Sequence, residues 1–222
     1  AQSMLDLNAA LAYIEDSDDL NRLPIMLFGH SWGGYAVAGV LNYGHPITAV
    51  ASVAGYNSPM EMMFEEAKTI MGSFAYVEYP IMWLYQTSLF GKNAWASAVN
   101  GINKARIPVM IIHGTQDNTI SYTGASIIAH RDEITNPKVV YKTCTKEGLN
   151  GHSSMFFTEA ALKYRAEINR QLRELETSYN GNVPEDVLDA FSEGINRFQM
   201  SELDPEFMGE INEFFEKALG SM

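Results

Sequence analysis

The feature that most constrains this 222-residue chain is the segment 29–33, which reads Gly-His-Ser-Trp-Gly. It joins an apolar, strand-like run at residues 25–28 to a helix-like run at residues 35–41. The two glycines allow a sharp turn and close approach of other groups, and the helix that follows directs its free N–H groups toward the turn. The segment therefore predicts that Ser31 is an exposed nucleophile and that the backbone N–H of Trp32 can stabilise an oxyanion. A glycine-rich turn with an incidental serine is the alternative.

Strand-like and helix-like segments alternate over the first 150 residues. The strand-like runs are residues 25–28, 47–55, 107–114 and 138–144. Helix-like runs separate them, including one predicted at residues 121–131. Alternation of this kind predicts an α/β fold with a mostly parallel sheet of about four strands and helices on both faces. In such a sheet, functional loops gather at the carboxyl ends of the strands.

A serine nucleophile requires a base, and the base requires an acid that orients it. Asp117 lies in the loop after the third predicted strand, and His152 lies in a glycine-flanked loop after the fourth. Both loops are expected at the same edge of the sheet as Ser31. Asp132 is the alternative acid, although it follows a predicted helix rather than a strand, and Asp117 could instead be a turn or cap residue.

The four other histidines have different expected positions. His30 is in the turn itself, too close in sequence to fold back onto Ser31. His113 ends a strand and is expected to pack beneath the site. His45 and His130 lie near predicted helix ends. His152 is therefore the predicted base.

Three segments together resemble the α/β-hydrolase fold family of serine hydrolases. They are the Gly-His-Ser-Trp-Gly segment, residues 113–117 (His-Gly-Thr-Gln-Asp) and residues 151–153 (Gly-His-Ser). The chain looks similar to bacterial esterases and to the dienelactone-hydrolase and prolyl-oligopeptidase-like branches, over roughly residues 5 to 157. The resemblance implies cleavage of a small-molecule ester, or of a peptide or amide bond, by Ser31, His152 and Asp117. It implies no metal or organic cofactor.

Residues 56–106 form an insert that is rich in methionine and aromatic side chains. The resemblance implies that this helical insert is a lid that shapes an apolar pocket. The alternative is that these side chains only pack the insert onto the body of the protein. Residues 155–222 are predicted to be mostly helical and extend beyond the single closing helix that the fold requires.

Composition excludes several other classes of function. The formal net charge of −12 argues against binding to nucleic acid or to anionic membranes. No apolar run approaches the ~18 residues that a membrane span requires. The single cysteine, Cys144, excludes an intrachain disulfide and is typical of a reducing, cytoplasmic compartment.

The start of the chain departs from the family pattern. The serine-bearing strand of the family is the fifth of eight, whereas one helix-like segment precedes it here. We therefore expect residues 1–222 to be the carboxyl-terminal part of one longer hydrolase domain, whose missing part would supply the second oxyanion donor. The strand from Ile25 to Phe28 would then be an edge strand that pairs with a missing N-terminal segment or with a second copy of the chain.

Two other functions fit the same residues. A non-catalytic remnant of the fold could act as a binding or assembly module. An enzyme that keeps the three residues could also transfer the acyl group to an acceptor other than water.

Overall fold

The computed structural model describes residues 1–220 and contains a four-stranded sheet in which every pair of neighbouring strands is parallel. The strands follow one another across the sheet in chain order. They are β1 (Ile25–His30), β2 (Ile47–Val53), β3 (Val109–Gly114) and β4 (Val139–Cys144). The predicted α/β class and the number of strands are confirmed.

Helices account for most of the remaining chain. The α-helices are α1 (Gln2–Asp16), α2 (Trp32–Gly39), α3 (Pro59–Met71), α4 (Ala75–Phe90), α5 (Ala98–Ala105), α6 (Glu159–Ser178), α7 (Glu185–Glu193), α8 (Arg197–Met200) and α9 (Pro205–Leu219). Short 3-10 helices occupy Val40–Tyr43, Gly72–Phe74, Gly91–Trp95, Ile127–Glu133 and Ser154–Phe156. Within the described residues, no helix has the length and apolar character needed to cross a membrane.

Burial follows the position of each strand in the sheet. Every residue of β3 is buried, because this strand has a neighbour on each side and helices packed around it. β1 and β4 are the two edges of the sheet within residues 1–220. Phe28 of β1 is 47% exposed. The edge position of β1 agrees with the sequence analysis, while the partner of this strand stays a prediction.

Close packing of α2 on the sheet depends on a glycine. A Cβ on Gly34 would overlap the carbonyl oxygen of Val53 and the Cα of Gly55, so only glycine allows the helix to approach β2 this closely. Beside this contact, the ring of Tyr35 is fully buried and stacks on Tyr56 with 4.7 Å between ring centroids. The start of α2, and with it the turn at Ser31, is thus held against the hydrophobic core.

The helix predicted at residues 121–131 is wrong in its first half. Residues 121–125 form turns, and only Ile127–Glu133 is helical, in the 3-10 form. In an α-helix the N–H of Ala125 would donate to the carbonyl of Ser121, but here it donates to the carboxylate of Glu65. A side chain from a distant segment therefore replaces the local hydrogen bond.

The described residues divide into two compact units. Residues 1–152, together with the described residues from Ile211 onward, form the first unit, which contains the sheet. Residues 153–210 form the second. Inside the second unit, the guanidinium of Arg165 lies 3.7 Å from the ring centroid of Phe157, and its Nε donates to the carbonyl of Met200. Residues 221 and 222 of the predicted helical tail lie outside the described residues.

Candidate active site

Ser31 occupies a strained turn between β1 and α2. Its backbone angles are φ 57° and ψ −117°, a conformation that non-glycine residues rarely adopt. The turn is held by hydrogen bonds from Ser31 N to Val53 O (2.9 Å) and from Tyr35 N to Ser31 O (3.1 Å). A Cβ on Gly29 would overlap the carbonyl of Gly33, so the turn can close only with glycine at position 29. Backbone strain of this kind is typical of a nucleophile turn.

The structure brings the three predicted residues into one hydrogen-bonded chain. Ser31 Oγ lies 2.9 Å from His152 Nε2, and His152 Nδ1 lies 2.8 Å from Asp117 Oδ2. All three side chains project from loops at the carboxyl ends of parallel strands, which explains how residues far apart in sequence meet. Asp132, the alternative acid, lies in the 3-10 helix Ile127–Glu133 with a 99% exposed side chain.

The carboxylate of Asp117 is fully buried and surrounded by donors. Oδ1 accepts the backbone N–H groups of Thr119 (2.9 Å) and Ile120 (2.8 Å). Oδ2 accepts from His152 and lies 3.0 Å from Nε2 of His113. Burial alone would raise the pKa of Asp117, but the hydrogen bonds from the two histidines and the two backbone groups outweigh it and hold that pKa well below its usual value. Asp117 is therefore ionised at neutral pH.

His113 lies beneath Asp117, as expected from its place at the end of β3, and its side chain is fully buried. Its Nε2 also lies 2.9 Å from the carbonyl oxygen of Ile120. Both neighbours of Nε2 are acceptors, so the ring must carry a proton on this nitrogen. Nδ1 is buried and has no hydrogen-bond partner within residues 1–220. The sequence alone did not indicate this contact with Asp117.

His30 contacts the loop of His152, which its position in the sequence did not indicate. It cannot turn back to Ser31, but its Nε2 lies 2.8 Å from the backbone carbonyl of His152, to which it can donate. The two imidazole rings pack with centroids 4.8 Å apart. Burial lowers the pKa of His30, which favours a neutral ring. The residue before Ser31 thus contacts the backbone of the loop that carries His152.

Hydrogen bonds also join the two loops that carry Asp117 and His152. Gln116 N donates to Asn150 O (2.8 Å), and Asn150 Nδ2 donates to Thr115 Oγ1 (3.0 Å). A Cβ on Gly114 would overlap the carbonyl of Asn150, so a glycine at the end of β3 permits this contact. These contacts hold the loop of Asp117 and the loop of His152 against each other.

The remaining histidines contact carboxylates away from Ser31. His45 contacts Glu15 of α1, and His130 lies between Glu61 of α3 and Glu133. Within residues 1–220, no three His, Cys, Asp or Glu side chains are arranged to hold a metal ion.

Trp32 is the first residue of α2, a position whose backbone N–H has no acceptor inside the helix. Trp32 as a whole residue is 70% exposed. Trp32 also lines a cavity of about 680 Å³, whose wall includes Tyr56 and side chains from α3 and α4. Among the apolar side chains of this wall are Met62, Met63, Ile70 and Phe90. The predicted insert therefore lines an apolar cavity beside Trp32, the residue that follows Ser31.

Among the known structures that resemble this chain are three hydrolases of low sequence identity to it. Acetyl xylan esterase 1 from a Thermoanaerobacterium species is 15% identical, with 68% of this chain and 47% of that chain covered and a TM-score of 0.47. An esterase from Pyrococcus furiosus is 18% identical, with coverages of 79% and 61% and a TM-score of 0.46. An acylaminoacyl peptidase from Pyrococcus horikoshii is 17% identical, with coverages of 66% and 23% and a TM-score of 0.44.

The chain thus spans about half of the length of the first of these proteins and three fifths of the second. No curated protein matches its sequence. The model of the prolyl oligopeptidase family, in contrast, matches residues 1–165, which is well over half of the chain. This match confirms the resemblance to α/β-hydrolase serine hydrolases, and the chain belongs to the prolyl oligopeptidase family.

Proposed function

We propose that this protein is a serine hydrolase that cleaves a carboxylic ester, or a peptide or amide bond, through an acyl-enzyme. The observation that carries the proposal is the continuous chain of hydrogen bonds from Ser31 through His152 to Asp117. Membership of the prolyl oligopeptidase family supports it. Esters are the first substrates to test, because an alkoxide leaves more readily than an amine.

Each of the three side chains has one task in this mechanism. His152 Nε2 takes the proton of the Ser31 hydroxyl while the serine oxygen attacks the substrate carbonyl. Asp117 accepts the Nδ1–H of His152, keeps the ring in the correct tautomer and stabilises its positive charge. The backbone N–H of Trp32 donates to the oxyanion of the tetrahedral intermediate.

Collapse of the intermediate completes the first half of the reaction. The bond to the leaving group breaks, His152 gives its proton to the leaving oxygen or nitrogen, and the acyl group stays on Ser31. Water then attacks the acyl-enzyme while His152 takes a proton from it, and the second collapse releases the acid and restores the serine hydroxyl.

The insert is the proposed lid, and the cavity beside Trp32 is the proposed site for an apolar acyl or side-chain group. Its mainly apolar wall supports this assignment. Removing such a group from water is favourable by about 0.8 kcal/mol for each buried methylene. The cavity would thus select for substrates with an apolar group next to the scissile bond.

Hydrolysis of p-nitrophenyl esters by the purified protein tests the proposal. We expect Ser31→Ala to lower kcat by roughly 10⁴-fold or more, because the nucleophile is lost. Ser192→Ala, at an exposed position on α7, is the matched control and should keep the wild-type rate. A Ser31→Ala variant with the wild-type rate would show that another group is responsible.

A fluorophosphonate probe separates the enzyme from a non-catalytic remnant. A serine activated by His152 should be labelled in the wild type and not in Ser31→Ala. Failure of the correctly folded wild-type protein to react would contradict the proposed activity and favour a binding or assembly role.

A further inference from the structure

Helix α3 of the insert and the loop that follows Asp117 are joined by the carboxylate of Glu65. Oε1 accepts the backbone N–H of Ser121 at 2.9 Å, and Oε2 accepts the backbone N–H of Ala125 at 2.5 Å. Hydrogen bonds to an ionised acceptor are stronger than those between neutral groups. One side chain of the insert thus closes the turn 121–125 from outside.

Gly124 provides the space for this carboxylate. A Cβ at position 124 would overlap Oε2 and Cδ of Glu65. The backbone of Gly124 is not in the left-handed region, so its conformation does not itself require glycine. The carboxylate of Glu65, which packs against Gly124, explains why this position has no side chain.

The same loop sets the position of Asp117. Oδ1 of Asp117 accepts the N–H groups of Thr119 and Ile120, and Ile120 is followed directly by Ser121, which Glu65 holds. The carboxylate of Asp117 and that of Glu65 therefore bind successive N–H groups of one loop. A shift of α3 would be passed to Asp117 through two or three residues of backbone.

Helix α3 also forms part of the wall of the apolar cavity. Met63 and Ala67 line that cavity, and Glu65, between them in sequence, holds the loop. We infer that Glu65 is a positioning residue, which couples the substrate-binding insert to the orientation of Asp117. The inference rests on the proposed function, since it assigns Asp117 to the reaction.

A double-mutant cycle on Glu65 and Gly124 tests the coupling. We expect Glu65→Ala to lower kcat by about 10- to 100-fold and to change KM less, because a displacement of about 1 Å at a catalytic group can reduce the rate roughly 100-fold. Gly124→Ala should lower kcat similarly, since its Cβ displaces the carboxylate. In the Glu65→Ala background, Gly124→Ala should cause little further loss, because the carboxylate it displaces is absent. The matched control on α3 is Lys68→Ala, an exposed residue that lies over the ring of Phe64.

A second measurement does not depend on activity. The NMR signal of the Nδ1–H proton of His152 lies far downfield when this group donates to a carboxylate, and it can be assigned with His152→Gln. We expect the signal to move upfield or broaden in Glu65→Ala and in Gly124→Ala, and the double variant to match Glu65→Ala. If the substitutions shift this signal but the wild-type protein hydrolyses no ester, the positioning role of Glu65 stands and the proposed function fails.

A third variant covers the case in which Glu65→Ala does not fold. Glu65→Gln has the same size and one carbonyl oxygen, but its NH₂ group faces the second backbone N–H. It should also lower kcat and shift the His152 signal, by less than Glu65→Ala. The inference is overturned if Glu65→Gln and Gly124→Ala both keep the wild-type kcat and signal, or if the losses in the double variant simply add.

Discussion

Nε2 of His113 lies 3.0 Å from Oδ2 of Asp117, and neither side chain is exposed to solvent. The same carboxylate oxygen accepts the Nδ1–H of His152. A buried carboxylate is stable only when its oxygens are satisfied by donors. His113 and His152 therefore both contact the same buried oxygen of Asp117.

We predict that His113→Phe lowers both stability and kcat, whereas His113→Gln has a smaller effect on each. Phenylalanine keeps the ring but removes the donor to a buried charged group, which typically destabilises a protein by about 1–3 kcal/mol. Glutamine can place an N–H donor near the position of Nε2. Urea unfolding and steady-state kinetics of the two variants check this prediction. Equal losses in both would contradict the prediction, and a larger loss in His113→Gln would mean that packing of the ring, and not its N–H, is what matters.

The three glycines around Ser31 are predicted to differ in their tolerance of alanine. A Cβ on Gly29 or Gly34 overlaps backbone atoms that cannot move away, so each substitution should destabilise by about 1–3 kcal/mol. A Cβ on Gly33 would meet no atom outside its own helix within 4 Å, and alanine is favoured over glycine in a helix by up to about 1 kcal/mol. Thermal unfolding of the three variants is the measurement. A Gly33→Ala variant whose melting temperature falls as far as those of Gly29→Ala and Gly34→Ala would contradict the prediction.

Asp117 should contribute stability that depends on pH. Its pKa is lowered on folding, so its contribution is complete well above the ordinary carboxyl pKa of about 3.9 and is lost as the pH falls toward the folded pKa. The asparagine variant Asp117→Asn has no such titration. We therefore expect the difference in free energy of unfolding between wild type and Asp117→Asn to be larger at pH 7 than at pH 3.

Urea unfolding of both proteins at the two pH values gives this difference directly. Other acidic groups titrate in both proteins and cancel in the comparison. A difference that stays constant, or grows as the pH falls, would show that the carboxylate of Asp117 is not stabilised by its donors.

The apolar cavity should set the preference for acyl chain length. We predict that Met63→Trp, which fills part of the cavity, lowers kcat/KM for p-nitrophenyl hexanoate by roughly 10-fold or more and leaves the acetate ester little changed, because each excluded methylene forfeits about 0.8 kcal/mol. The ratio of the two rates is the readout, since it cancels differences in folded fraction. An unchanged ratio would place the acyl group elsewhere.

Local patterns in the sequence were sufficient for the fold class and for three candidate residues. The glycines and the apolar run around Ser31 indicate a strand–turn–helix corner, and strand ends before Asp117 and His152 place their loops at the same edge of a parallel sheet. These signals lie within a few residues of the group they describe. For that reason they could be read without knowing what packs against them.

The contacts that orient those residues were decided only by the tertiary structure. His30 holds the backbone of His152, and Glu65 replaces the local hydrogen bonds that would have made residues 121–125 helical. Each contact joins segments that are distant in the chain. Periodicity and turn chemistry report on neighbouring residues, whereas these hydrogen bonds depend on how the sheet and the insert bring distant segments together.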